Sequence, residues 1–192
     1  MGLRRRDFLL TGAGAAFAAQ TAQRPNILLI LADDLGAWML GCYGNKEIKT
    51  PNIDRLSRMG MRFVNSFVAT PICSASRATL FTGRVPRQHG IHDFLTPKPV
   101  ENPPQGQLAP PASFEKEIMI SDLLARGGYR CGYVGKWHMG NDDRPGHGYQ
   151  FTYTMMGGSR SYRDPEMFLN GDKVQEQGYL TDLMTKRACE FI

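Results

Sequence analysis

Charge of one sign is scarce in this 192-residue sequence: the net charge is +5, and the cluster Arg4–Arg6 against Asp7 puts +2 of it in residues 1–23. The body carries no basic run, which leaves no case for nucleic-acid binding, and its small residual surplus is compatible with an anionic substrate. Long hydrophobic runs are also lacking. The N-terminal one, Phe8 to Ala19, has twelve residues with two Gly and a Thr among them, short of the ~20 needed to span a bilayer. Cysteine is sparse and unpaired in pattern. Cys42, Cys73, Cys131 and Cys189 form no C-x-x-C, which argues against a zinc site, and their wide spacing predicts no disulfide connectivity. What remains is ordinary globular composition, 42% hydrophobic, 10% aromatic and 21% charged, which excludes a disordered, collagen-like or coiled-coil chain.

Residues 1–23 read as an address label. A basic cluster precedes a mildly apolar run, and Ala16-Phe17-Ala18 offers a small-x-small cleavage site. Arg5-Arg6-Asp7-Phe8-Leu9 resembles the twin-arginine form of signal peptide, so we expect export to the periplasm or the exterior, with no stable membrane span.

In the body, Asn26 to Leu31 (NILLIL) is a continuous apolar run suited to a parallel strand buried on both faces. Thr50 with Pro51 at the first helical position predicts a helix closed by Gly60. Met61–Val68 has strand composition, Ser76–Phe81 reads as a short helix stopped near Gly83, a helix around Glu117–Arg126 ends in Gly127-Gly128, and Tyr129–Val134 is again strand-like. This order predicts an α/β fold, a mostly parallel sheet sandwiched between helices. Thr96–Phe114 holds six of the twelve prolines and predicts a long surface loop. Asn170-Gly171 predicts a tight hairpin turn. A helix from Thr181 meets the end of the chain without a terminator, so we read the chain as the N-terminal, truncated part of a longer protein.

Three segments carry candidate chemistry. Asp33-Asp34 follows the first predicted strand, where open α/β sheets place ligands, and two adjacent carboxylates suit Ca²⁺ or Mg²⁺; taken alone, such a pair is more often a cap or turn after a strand. In PICSASRATLFTGR, Cys73 precedes a predicted helix start, where unpaired N–H groups and the helix dipole favour an anion and lower a thiol pKa. Arg77 lies about one turn on, within reach of an anionic group. In GKWHMG, Lys136 and His138 would point the same way if the segment is extended, pairing a fixed charge with a titratable imidazole. Taken alone, this Cys is more often a packed or redox residue, and this Lys and His more often lie on a surface. His89, His92 and His147 have no acid partner assignable from sequence.

Taken together these segments resemble the sulfatase family of the alkaline-phosphatase-like superfamily, over about Arg24 to Ile192. RPNILLILADDLG resembles its opening strand and metal aspartates, KTPNIDRLSRMGMRFVNSF the helix and strand that follow, CSASRATLFTGR the signature C-x-P/A-S-R-x-x-x-x-T-G, and GKWHMG the Lys-x-His segment. Behind the signal peptide read at 1–23, the resemblance implies the N-terminal part of a sulfatase catalytic domain at 24–192. It implies that Cys73 is converted to Cα-formylglycine, whose hydrate is the nucleophile. Asp33, Asp34 and the oxygen at position 73 would hold Ca²⁺, with Mg²⁺ as the alternative. Arg77 would orient and stabilise the hydrate, and Lys136 and His138 would bind sulfate, with Lys136 or another residue assisting the leaving oxygen. One hydroxyl of the hydrate would take the sulfate and the second would expel it, which a serine could not do. Ser159 would line the sulfate pocket. Ala75, where the commoner signature has Pro, resembles substrates of the radical-type anaerobic maturase, the implied partner protein.

The family draws a further Asp-Asn pair, Lys and His from later sequence, which cannot be located before Ile192, so this chain alone is expected to be inactive. The substrate class implied is a sulfate ester, of a small molecule or a glycan. A phosphomonoester or phosphonate-ester hydrolase on the same scaffold, or an inactive ligand-binding fragment, are the alternatives.

Overall fold

The computed structural model describes residues 24–95 and 114–192, which fall into two compact units divided at Pro51. The leader at 1–23 and most of the proline-rich loop lie outside the described residues.

In the first unit, residues 24–51 form two single turns of 3-10 helix, Ala37–Met39 and Gly41–Tyr43. Asn45 organises the chain after them. Its Nδ2 donates to the Trp38 carbonyl at 2.7 Å while its Oδ1 accepts the N–H of Glu47 at 2.9 Å and of Ile48 at 2.8 Å, the side-chain mimicry of a turn that favours Asn here. The strand expected at Asn26–Leu31 is not formed, and Leu28 and Ile30 are 67% and 77% exposed. A doubly buried strand has backbone and side-chain needs that only flanking strands and covering helices meet. Among the described residues no strand pairs with it. The expected strand at Met61–Val68 fails in the same way, with Phe67 90% exposed.

The second unit, residues 52–192, contains the helices α1 (Pro51–Met59, which starts at the boundary), α2 (Cys73–Thr82), α3 (Pro86–His89), α4 (Ile120–Arg126) and α5 (Leu180–Phe191). Its strands are β1 (Cys131–Lys136), β2 (Tyr149–Met155), β3 (Glu166–Leu169) and β4 (Asp172–Gln175). α1 begins on Pro51 and stops before Gly60, as its sequence dictates. α2 begins at Cys73, three residues earlier than Ser76, because the N–H of Ser76 already bonds to the Ile72 carbonyl at 2.7 Å. It ends on Gly83, which takes φ 67° and returns its N–H to the Thr79 carbonyl.

The four strands form one sheet in the order β1-β2-β3-β4. β1 and β2 run parallel, with Lys136 opposite Met155; β2 pairs β3 and β3 pairs β4 antiparallel. The α/β class therefore stands, with a mixed sheet in which the parallel part is one pair. β3 and β4 are joined by Asn170-Gly171, with φ of 52° and 92°, the double left-handed turn that matches the twist of a hairpin.

Two apolar clusters hold this unit. Ala75, Ala78 and Phe81 recur at helical spacing along α2 and pack with Ile91, Leu95, Phe114, Met119, Trp137 and Met139; burying a side chain the size of Phe81 contributes about 1.5–3 kcal/mol. Tyr153, Met155, Met167 and Leu180 form the second cluster, between the sheet and α5. There Gly132 leaves room for the Phe191 ring: a Cβ on it would lie 2.8 Å from that ring, which stacks on Phe151 with centroids 5.4 Å apart, and would displace it.

Candidate active site

Cys73 is the first residue of α2, so it sits where the first N–H groups of a helix have no intrahelical partner and the dipole is positive. The residue before it, Ile72, caps nothing with its side chain. Arg77, four residues on and therefore on the same helical face, is 6% exposed. Its guanidinium acts on Tyr133 of β1, by charge and by a side-chain hydrogen bond. Burial, the dominant influence, pushes the Tyr133 hydroxyl far above its ordinary pKa, and Arg77 pulls it the other way. The phenol stays protonated and donates to the main-chain carbonyl of Lys136. One relay thus runs from α2 through Arg77 and Tyr133 to Lys136, at the carboxyl end of β1.

A second relay reaches His138. Ser74, beside Cys73 and fully buried, accepts the N–H of Leu95 on its Oγ at 3.2 Å. The carbonyl of the same Leu95 lies 2.9 Å from His138 Nε2. A carbonyl only accepts, so Nε2 carries the proton and Nδ1 is the basic nitrogen of the neutral ring. His138 is 1% exposed and stands edge-on to Phe94, with centroids 4.4 Å apart.

The extended run ends at Lys136. His138 takes φ 55°, so strand alternation does not carry through to it, and it is placed by the Leu95 carbonyl instead. Because β1 and β2 are parallel, the loop leaving β1 and the loop leaving β2 emerge at the same edge of the sheet, the edge where open α/β folds place ligands. The second loop closes on the first at Gly158, where a Cβ would lie 3.1 Å from His138 Cε1 and 3.2 Å from the Phe94 ring.

Asp142 ties the two loops together. It is 3% exposed, and its Oδ2 accepts the Gly157 N–H at 2.7 Å. Burial raises its pKa, while the N–H groups of Gly157, His138, Met139 and Gly140 act in the opposite sense by favouring the carboxylate. Neither Asp142 nor Tyr133 is prominent in the sequence. The signal that could have found Asp142 is an Asp-Asp pair four residues after a His that needs a fixed loop.

The other histidines have structural partners or face water. His89, 1% exposed, accepts the Ile91 N–H on Nδ1 at 3.1 Å, so its Nε2–H donates to Thr79 Oγ1 at 3.1 Å. His147 Nδ1 meets Asp122 at 3.2 Å, and the ring stacks on Trp137. His92 is exposed. Cys131 is buried, and burial pushes its thiol up, which suits a packed, unreactive sulfur.

Asp33 and Asp34 belong to the first unit and are exposed on the turn after the apolar run, where Asp34 takes φ 55°. Their adjacent carboxylates are hard oxygen donors that fit a divalent cation, and they provide part of the about six to eight oxygens that Ca²⁺ takes. Among the described residues no group of three or more His, Cys, Asp or Glu is assembled to hold a metal, and no helix is long and apolar enough to cross a membrane.

A family model described as Sulfatase matches residues 25–192. Human arylsulfatase A is 40% identical over 141 residues, covering 73% of this chain and 25% of that protein. Dog N-acetylgalactosamine-6-sulfatase is 40% identical over 136 residues, covering 71% of this chain and 26% of that protein. The chain thus spans about a quarter of the length of these curated relatives. Among solved structures, Ps i-CgsB in complex with k-i-k-neocarrahexaose superposes with a TM-score of 0.76 at 33% identity, over 88% of this chain and 41% of that one. BT4656 in complex with its substrate D-glucosamine-2-N,6-O-disulfate gives 0.72 at 30%, over 88% of this chain and 31% of that one.

Proposed function

Since this chain belongs to the sulfatase family, we propose that the protein hydrolyses sulfate esters, with position 73 as the nucleophile and a sulfated glycan as the substrate class. The observation that carries this reading is the main chain of Leu95, whose N–H holds Ser74 next to Cys73 and whose carbonyl holds His138. The backbone of one residue therefore indexes the start of α2 against the imidazole. The glycan class is supported by the likeness to structures solved with a carrageenan-type hexaose and with a disulfated glucosamine.

In this reading Cys73 is oxidised to formylglycine, which supplies a hydrated aldehyde as nucleophile. The chain's own groups do the rest. The α2 N-terminus and the buried Arg77 place positive potential at position 73 and favour an anion there. Lys136 adds a second cation at the end of β1 and offsets charge on the transferring sulfuryl group. His138 holds its Nε2 proton on Leu95, so Nδ1 is the site at which it takes or gives a proton. Asp33 and Asp34 would hold a divalent cation, Ca²⁺ or Mg²⁺, which would supply Lewis-acid charge when bound. Residues 1–23 would direct export through the twin-arginine route, and Ala75 in the signature supports maturation by the radical-type system.

The test is peptide mass spectrometry of Phe63–Arg77, with an aldehyde-reactive probe, on full-length protein from its native host or from a host carrying the radical-type maturase. An aldehyde at position 73, and loss of aryl sulfatase activity in Cys73→Ala, are expected. An intact thiol in a host that matures a control sulfatase overturns the reading. So does a preference for aryl phosphate over aryl sulfate, which would mark a phosphoester hydrolase on this scaffold.

A further inference from the structure

Arg77 is the only cation in α2, and it is almost wholly buried. A buried guanidinium needs acceptors, and a carboxylate would supply them while cancelling much of its charge. Tyr133 supplies an acceptor of another kind. Arg77 donates to the phenol oxygen, and the phenol proton goes to the main-chain carbonyl of Lys136. A neutral phenol orients the guanidinium without neutralising it. Both bonds of one hydroxyl are thus made, one toward α2 and one toward the end of β1, and each polarises the hydroxyl for the other.

The ring is held where this geometry needs it. Phe81, one turn on from Arg77, meets it edge-on with centroids 5.9 Å apart. Trp137, in the loop after β1, lies 5.1 Å away with its plane perpendicular, and Tyr149 of β2 lies 5.5 Å away. A phenylalanine would fill the same space, so packing does not account for the hydroxyl. The bond to Lys136 also needs β1 to depart from regular extension, in which three residues span about 10 Å. Gly135 takes φ 120°, a backbone that glycine adopts without strain. The departure therefore falls between the residue that donates and the carbonyl that accepts.

We propose that Tyr133 is a positioning residue for the reaction at position 73. Its hydroxyl sets the Arg77 guanidinium and the end of β1, which carries Lys136, in one register, so that both cations meet the transferring group together. The inference rests on the sulfate-ester reading above, in which both cations act on that group. Tyr133 acts through Arg77 and the Lys136 main chain. Fixed geometry counts most where charge shifts during the reaction, so losing the hydroxyl falls on kcat rather than on KM.

The experiment uses matured full-length protein and 4-nitrophenyl sulfate. It compares wild type with Tyr133→Phe, Arg77→Lys and the double variant. Tyr149→Phe serves as the comparison for losing a hydroxyl from the same group of rings, since the Tyr149 hydroxyl bonds to Ser121 of α4. Aldehyde at position 73 is measured by peptide mass spectrometry in every variant, and rates are expressed per aldehyde. Tyr133→Phe should lower kcat about tenfold with KM within about twofold. Tyr149→Phe should leave both within about twofold, with Tm falling by about 5 °C or less in each variant. In the Arg77→Lys background, Tyr133→Phe should lower kcat by less than about twofold, because the geometry it serves is already lost.

A Tyr133→Phe protein with wild-type kcat, or with the same fold loss in both backgrounds, overturns the inference and leaves sulfate-ester hydrolysis standing. If wild type turns over 4-nitrophenyl phosphate and not the sulfate, the sulfate-ester reading falls, and the same variants on phosphate decide the inference by the same two criteria. Wild type that lacks the aldehyde, or turns over neither ester, overturns both.

Discussion

Replacing Asp142 by alanine tests whether one buried carboxylate holds the loop that carries His138. The carboxylate is 3% exposed, takes the Gly157 N–H at 2.7 Å, and is favoured in its charged form by the N–H groups of His138, Met139 and Gly140. A hydrogen bond to a charged group contributes about 1.5–3 kcal/mol net, and a buried donor stripped of its acceptor costs about 1–3 kcal/mol. Burial opposes this, since it is the largest influence on Asp142 and disfavours its charge. One strong bond and part of the others, less that desolvation, leave a net loss of about 3 kcal/mol in Asp142→Ala. For a domain of this size that is a fall of about 10 °C in Tm.

In the full-length protein, at a temperature where the variant is still folded, the proposed activity predicts that kcat/KM for an aryl sulfate falls about 10- to 100-fold, because misplacing a positioned group by an ångström has that effect. The pH dependence has a definite sign. The folded-state pKa lies above the usual 3.8, so the folded protein holds a proton that the unfolded chain has already released. This group's contribution is therefore most favourable below the usual value and declines as pH rises through the folded one. Asp142→Asn keeps an acceptor oxygen and should remove that slope. Thermal melts followed by circular dichroism from about pH 4 to 8, with aryl sulfate kinetics, read both effects. An Asp142→Ala protein with unchanged Tm and kcat/KM would refute the reasoning.

Gly158→Ala puts a methyl group 3.1 Å from His138 Cε1 and should lower kcat about tenfold with little change in Tm, read by steady-state kinetics beside a melt. Gly171→Ala adds a Cβ at φ 92°, 2.3 Å from Arg144 Nε, and should cost about 1–3 kcal/mol by denaturant unfolding. His89 has its pKa lowered by burial, so its contribution is present above about pH 6.5 and is lost as pH falls through the folded value; His89→Gln should flatten the Tm profile on the acid side. Chelation with EDTA should abolish aryl sulfate turnover and Ca²⁺ or Mg²⁺ should restore it; activity unaffected by exhaustive chelation would argue against a metal at Asp33-Asp34.

The helices α1, α2, α4 and α5, the β1 strand and the hairpin were legible because local chemistry sets them: Pro51 and Gly60 bound α1, Gly83 stops α2, Gly127 follows α4, and Asn170-Gly171 turns β3 into β4; α3 and β2 were not read. The runs at 26–31 and 61–68 were misread as formed strands because composition reports the environment a strand needs, while pairing depends on strands that the described residues do not contribute. The candidate chemistry at Cys73, Arg77, Lys136 and His138 was legible as residue types in order. What joins them was not. The Leu95 main chain and the Tyr133 hydroxyl act across 21 to 43 positions of sequence or through a register known only once β1 is built. The left-handed backbone at His138 is likewise not set by residue type alone: His is enriched at positive φ, yet most His residues lie elsewhere, so only the built loop fixes it.

The Leu95 bridge has a consequence for how this site can vary. Both of its contacts are made by backbone atoms, which every residue except proline supplies in full. The side chain at 95 can therefore drift among apolar residues of similar volume while the spacing between α2 and the imidazole is conserved. A lineage could remodel its outer loops for new esters without disturbing that spacing, and Leu95→Pro, which deletes the N–H and keeps the carbonyl, is the single change at this position that would sever one arm alone.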